Sequence, residues 1–352
     1  MSQSPVGRGS EEIRASWLHR FAQTLAVLTF LLIAVGGLVH SHDAGLSVPD
    51  WPTTYEYNMF TFPYSKWVGG IFYEHSHRLL ASAVGFLTIL LAVWLTLKDR
   101  RIELKVLGWV ALVCVILQGV LGGMTVLYLL PPAISTAHAG LAKIFFCLTL
   151  LIAFLTSRGW LLRDRIHLGS EKSCSVRRLN LLSLVATGAI YIQILFGAVM
   201  RHTYDNEWGF AIQGWPLSNG AWIPEFTSGV VVVHFIHRTF AFAILALAAI
   251  LLLYAKKKLG DLPQLVRPAW GLLAVLVLQI SLGIATVLTE WGNPAIGFYT
   301  PVITVTTTHQ AVGALVLGVA FYLTLRTFQF QGSESLATEP GTEGEEDYAL
   351  QV

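Results

Sequence analysis

Charge is scarce in this chain. Only 12% of its 352 residues are Asp, Glu, Lys or Arg, where soluble globular domains carry about 25%. An ordinary water-facing surface is thereby excluded. The net charge of +2 points to no class of partner, and no nucleic-acid partner is expected. Cysteine is scarcer still. Cys114, Cys147 and Cys174 show neither disulfide-framework nor metal-ligand spacing, and they read as small buried hydrophobes. No cleavable leader is evident either. The first apolar run extends from Trp17 to about Val39, too long for the core of a signal peptide, and reads as a retained helix.

Apolar residues fill the space that charge leaves. They make up 54% of the chain, and the mean hydropathy is +0.62. A bilayer core takes about 20 apolar residues per helix. Eight stretches qualify: 17–40, 75–97, 105–130, 134–157, 178–200, 231–255, 267–289 and 302–327. The expected fold is an all-α polytopic membrane protein with membrane lipid around it. Eighteen of the 23 Lys and Arg fall in the N-terminus, in alternate loops and just after the last span. The positive-inside rule then places both termini in the cytoplasm. Of the outer loops, 41–74 and 201–230 are long and aromatic, with Lys66 and Arg201 as their basic residues.

The chain repeats itself at an offset of about 160 residues. His77-Arg78 recurs as His237-Arg238, and Gly37-x-Val39 with His42 recurs as Gly197-x-Val199 with His202. Asp50-Trp51-Pro52 is echoed by Gly214-Trp215-Pro216. Gln118-x-x-x-Gly122-x-x-Thr125-Val126 recurs as Gln279-x-x-x-Gly283-x-x-Thr286-Val287, and His138 recurs as His309. Four helices per half give both copies one orientation, so the repeats are parallel. The expected organisation is a cytoplasmic N-terminus (1–16), a four-helix bundle (17–157), a basic linker (158–177), a second four-helix bundle (178–327) and an acidic disordered tail (328–352).

Ionisable groups inside spans cost roughly 2.5–3.5 kcal/mol when charged at midspan and are functional by default. His77 and His138 start the second and fourth spans, as do His237 and His309 in the other half. Each pair can face across its bundle at one depth, which suits two axial imidazoles on one haem. Glycines (Gly122, Gly123, Gly140; Gly283, Gly313) leave room for the ring. Interhelical hydrogen bonding is the plainer alternative, and zinc is disfavoured because no Cys or acid recurs with the pairs. Arg78 and Arg238 are candidate partners for haem propionates, or else they snorkel to the interface. Glu74 lies on the face of His77, whereas the second half has His234 there. A carboxylate beside one site only suggests chemistry in the first bundle and electron transfer in the second. An ion pair of Glu74 with Arg78 is compatible with that role. His19 and His167 are expected to be solvated. His40, His42, His75, His202 and His234 receive no role.

Glu74-x-x-His77-Arg78, Gly45-Leu46-Ser47-x-Pro49-Asp50-Trp51-Pro52, His138, His309 and His237-Arg238 together resemble haem A synthase, over about residues 17–327. The resemblance implies a haem b cofactor held by His237 and His309. It implies haem O as substrate between His77 and His138, with Glu74 as the functionally important acid. The implied reaction oxidises the C8 methyl of haem O to a formyl group through an alcohol. The implied partners are haem O synthase (protohaem farnesyltransferase), cytochrome oxidase assembly factors and an electron acceptor not specified by the sequence. A bacterial inner membrane is the expected location, with both haem sites near the outer face. Some members carry a cysteine pair in the first outer loop; residues 41–74 contain none. Two other readings are a dihaem b-type cytochrome that takes electrons from quinol and a haem-handling or export protein.

Overall fold

The computed structural model describes residues 5–161, 168–203, 211–291 and 300–335. Of the expected disordered tail, 328–352, residues 328–335 instead continue the last helix; the rest of it and the middle of the basic linker, with His167, lie outside the described residues. Nine helices occur among those described: α1 Pro5–Ser41, α2 Gly70–Lys98, α3 Ile102–Leu127, α4 Pro132–Leu155, α5 Arg158–Leu161, α6 Ser170–Thr203, α7 Gly229–Leu259, α8 Pro263–Trp291 and α9 Thr300–Ser335. All but the single turn α5 contain a stretch long and apolar enough to cross a membrane. These stretches match the eight expected spans. The first helix begins earlier than expected, at Pro5 rather than near Trp17.

Helix is what such sequences must form in hydrocarbon, where every backbone N–H and C=O needs a partner within its own segment. The ends follow local chemistry. Pro131 precedes α4 and Pro132 opens it, at positions where a missing N–H costs nothing. Ser228 caps α7 by accepting the Val231 N–H.

Packing divides the helices into two closed rings. Helix α1 packs on α2 and α4, and α3 bridges α2 to α4. Helix α6 likewise packs on α7 and α9, with α8 between those two. This closure fits a parallel repeat of four-helix units. The interior of the first ring includes Leu25, Leu91, Leu95 and Ile152, and that of the second Leu179, Leu251, Leu272 and Leu317. The rings meet along a seam where α1 touches α9 and α4 touches α6. Ile33, Phe146 and Ala314 are buried together in that seam. Exposed Val113, Ile116, Leu117 and Val120 on α3, and Leu181, Leu184 and Val185 on α6, give the outside the apolar surface that lipid requires.

The two ends of the rings differ. The basic end holds polar ties between helices. His19, expected to be solvated, is half-buried there, with Nδ1 bonded to the Ala153 carbonyl at 2.9 Å. Its ring joins α1 to α4, because α1 starts well before Trp17 and carries His19 into the packed region. Asn180 Nδ2 joins α6 to α9 through Thr327 Oγ1 at 2.9 Å. The other end carries the two long loops. Each folds back on itself through one small bridge, Thr54 with Tyr57 and Ser218 with Ala221. Both Trp–Pro bonds, Trp51–Pro52 and Trp215–Pro216, are cis.

Candidate functional site

Each of the four predicted histidines rests on a glycine of the neighbouring helix. A Cβ added at Gly36 of α1 would lie 3.1 Å from His77 Cε1, and one at Gly122 of α3 3.0 Å from His138 Cε1. In the second half the same relation holds for Gly197 of α6 with His237, at 3.0 Å, and for Gly283 of α8 with His309, at 2.9 Å. Only bare backbone allows a ring so close. The sequence repeat aligned Gly37 with Gly197, but in space Gly36 takes the part of Gly197. Adjacent residues on a helix point about 100° apart, so Gly37 instead faces α9, against the Gln310 side chain.

The rings of a pair, His77 with His138 and His237 with His309, lie within Coulombic range of each other. Their remaining nitrogens are set differently. His309 Nδ1 donates to the Gln279 carbonyl at 3.1 Å, so Nε2 is unprotonated, and it lies 3.4 Å from Gln279 Nε2. Gln118 Nε2 lies 3.1 Å from His138 Nδ1 and donates to the His138 carbonyl at 3.0 Å. Gln193 Nε2 donates to the His237 carbonyl at 2.7 Å. The Nδ1 atoms of His77 and His237 are buried without a hydrogen bond. Among the described residues no group of three or more His, Cys, Asp or Glu converges.

Glu74 is 3% exposed. Its Oε2 accepts the Val48 N–H at 2.7 Å, and its Oε1 accepts from Arg78 Nη2 at 2.5 Å. Arg78 gives its other donors to the first long loop. Nη1 reaches the carbonyls of Asp50 at 2.7 Å and Thr53 at 3.0 Å, and Nη2 that of Val48 at 3.0 Å. Arg78 is thus a loop latch, and its two terminal nitrogens serve backbone carbonyls. The second half repeats the latch in a lighter form. Arg238 Nη2 donates to the Gly214 carbonyl at 2.8 Å, and the guanidinium lies over Trp215 at 5.9 Å. His234 accepts the Ile212 N–H on Nδ1 at 3.1 Å.

Sequence reasoning gave His75 and His234 no role, yet both hold loops. His75 is fully buried, Nδ1 3.2 Å from Thr54 Oγ1 and its ring edge-on to Trp67 at 4.6 Å. The loop is also braced from within by Asp50, whose carboxylate accepts from Thr53 Oγ1 at 2.5 Å and from the N–H groups of Tyr55 and Glu56 at 2.7 and 2.9 Å. Partial burial pushes this carboxyl up, but the three hydrogen bonds outweigh it and hold the group below the usual carboxylate range. The Trp51 indole packs on Gly123, where a Cβ would come within 2.5 Å of the ring, so this loop closes over the first ring of helices. His40 and His202 meet at 5.0 Å with their rings tilted where α1 and α6 end, and His42 stacks on Tyr73 at 3.7 Å.

A haem suits these residues. Two imidazoles per half lie within Coulombic range of each other, each backed by a glycine that leaves room for its ring. Two buried ring nitrogens have no other partner. The glycine seats at Gly36 and Gly197 escaped the sequence reading of the ligand environment. Their signal was present, since a glycine in a helix costs about 1 kcal/mol relative to alanine and calls for a packing reason.

The chain matches the model of one protein family, described as cytochrome oxidase assembly protein (COX15-CtaA), over residues 19–321. Among similar curated proteins is "Heme A synthase" of Rhizorhabdus wittichii, 26% identical, covering 88% of this chain and 92% of that protein. The protein of the same name from Halalkalibacterium halodurans is 29% identical over 77% and 89% of the two chains. That from Novosphingobium aromaticivorans is 28% identical over 90% and 95%.

Proposed function

The chain belongs to the COX15-CtaA family of cytochrome oxidase assembly proteins, and from that premise we propose that it is an oxidoreductase converting haem O to haem A. Haem O binds in the first half between His77 and His138, and its C8 methyl is oxidised to a formyl group by way of the alcohol, a net four-electron oxidation that draws its oxygen atom and its electron acceptor from outside the chain. His237 and His309 would hold a haem b, which when bound would supply one-electron transfer. Both sites face outward at the long-loop end, with both termini in the cytoplasm of a bacterial inner membrane, as the basic loops favour.

The observation that carries this reading is one asymmetry in an otherwise duplicated site. Both halves present two histidines on glycine seats, and only the first adds a buried carboxylate, Glu74. A carboxylate in a dry site can take up a proton or stabilise a developing cation. Arg78 and the Val48 N–H fix its position, while the latched loop with Trp51 on Gly123 keeps water from the substrate. In the second half His234 stands in that place, so the site keeps its loop but lacks the acid, as suits a haem that only passes electrons. Haem O comes from a farnesyltransferase, and the product goes to oxidase assembly.

The test is coexpression with a haem O source, followed by pigment extraction and mass identification. Haem A and its alcohol precursor are expected. Unchanged haem O would refute the reading. A dihaem quinol-linked cytochrome would instead hold two haems b of equal standing, and a haem-handling protein would pass on an unaltered macrocycle.

A further inference from the structure

Lys143 follows His138 on α4 and is 5% exposed. Among the described residues no hydrogen bond or ion pair reaches its ammonium. It shares a helix face with Gly140 and Cys147, and Gly140 lies against Leu195 and Tyr191 of α6. That face is therefore the seam. Side chains lean toward the N-terminus of their helix, which carries Lys143 toward the long-loop end. Other basic groups gather there. Lys143 is within Coulombic range of Arg201, His202 and His138. The His202 ring lies tilted against His40 at 5.0 Å, and Arg201 Nη2 donates to Ser41 Oγ at 2.8 Å.

No acid balances this group from the helices around it. α4 has no Asp or Glu, α1 has none from Trp17 onward, α9 has none as far as Gln331, and the one on α6, Glu171, is at the opposite end. The alignment that takes His138 to His309 puts fully buried Ala314 in the place of Lys143. The buried cation thus belongs to the first half alone, as Glu74 does. A largely buried lysine that no acid faces from the described helices around it is poorly compensated, so the site suits a ligand that brings negative charge.

Two axial imidazoles fix the centre and the plane of a macrocycle, but not its rotation about the line joining them. Oxidising one methyl among several needs a hold in the plane of the ring. We infer that Lys143, with Arg201 and His202 beside it, seats a carboxylate of the tetrapyrrole bound between His77 and His138, and so decides which edge of the ring is presented to Glu74. This rests on the proposed function. Lys143 acts here as a positioning residue, through the orientation of the substrate.

The test uses the full chain purified with its second-half haem in place. It is titrated with iron protoporphyrin IX and with the dimethyl ester of that compound, read by Soret absorbance. The wild type is expected to bind the free acid at least about tenfold more tightly than the ester. Lys143→Met should reduce free-acid affinity to that of the ester and leave ester binding unchanged, while Lys143→Arg should keep most of the preference. Equal binding of both compounds by the wild type, or a preference that survives Lys143→Met, overturns the inference. So does a Lys143→Met protein that sheds its second-half haem with first-half binding intact, since the cation would then serve the other macrocycle. A titration that His77→Ala leaves unweakened overturns the proposed function itself and this inference with it.

Discussion

Glu74 and His234 do the same thing to the backbone. Glu74 accepts the Val48 N–H at 2.7 Å, and His234 accepts the Ile212 N–H at 3.1 Å. Val48 and Ile212 are both fully buried, and each stands two residues before the carbonyl, of Asp50 or of Gly214, that the neighbouring arginine grips. The duplicated protein needs an acceptor at this point in both halves. In only one half is that acceptor a carboxylate. Glu74 therefore has a structural duty that any residue able to accept could meet, and a charge that this duty does not require.

The two duties of Glu74 separate in a pair of substitutions. Glu74→Gln keeps an acceptor for Val48 and loses the charge, so it should hold haem b, keep the loop closed and still lower haem A output about 10²-fold or more. Glu74→Ala loses both and should add loop disorder to the same loss. Haem A analysis with the haem b spectrum as a control checks this; normal output from Glu74→Gln would remove the charge from the mechanism.

The glycine seats predict a position-specific intolerance of one methyl group. Gly197→Ala and Gly283→Ala should each displace the facing imidazole, at about 1–3 kcal/mol of overpacking, and reduce or abolish the low-spin haem b spectrum. Gly36→Ala and Gly122→Ala should spare that spectrum and impair conversion. Gly85→Ala and Gly119→Ala, where an added Cβ meets nothing within 4 Å, serve as controls and should be neutral or slightly stabilising.

His237→Ala and His309→Ala should each lose the haem b absorbance, with the chain still in the membrane. A low-spin spectrum that persists in both would mean that the ligands lie elsewhere.

Arg78 gives a readout that needs no haem. Lys66 is exposed and is the one Lys or Arg between Ser41 and Gly70. Arg78→Ala releases three loop carbonyls and should speed tryptic cleavage at Lys66 by about tenfold or more, whereas Arg238→Ala should leave that cleavage unchanged.

Acid should open the same loop. The folded-state carboxyl of Asp50 lies below its ordinary value. Its contribution is therefore complete above the unfolded-state pKa, about 4, and is lost as the pH falls through the lower folded-state value. Amide exchange at Tyr55 and Glu56, corrected for intrinsic rates, should lose protection in acid, and Asp50→Asn should lose most of that dependence.

Much of this was legible in the sequence, for identifiable reasons. The spans follow from apolar length. The histidine pairs and the Gln118 and Gln279 positions follow from the repeat, because the same packing problem was solved twice. The one-residue shift between Gly36 and Gly37 was hidden, because two adjacent glycines align equally well and only the helix phase decides which faces His77. The roles of His75 and His234 were hidden too. Each supports a loop whose path depends on distant contacts such as Trp51 on Gly123, which no local pattern encodes. The ion pair of Arg78 with Glu74 was open to sequence reasoning and is present; the three loop carbonyls that Arg78 also holds were not, although a guanidinium's five donors leave room for them.

The bare backbone at Gly36 and Gly37 makes α1 a wall common to both halves. One side of it bears on His77 and the other on Gln310, next to His309. If α1 moves to admit a substrate against His77, the room beside His309 changes with it. A side chain larger than glycine at either position would push α1 off one half or the other, so this one helix limits how closely the two bundles can approach.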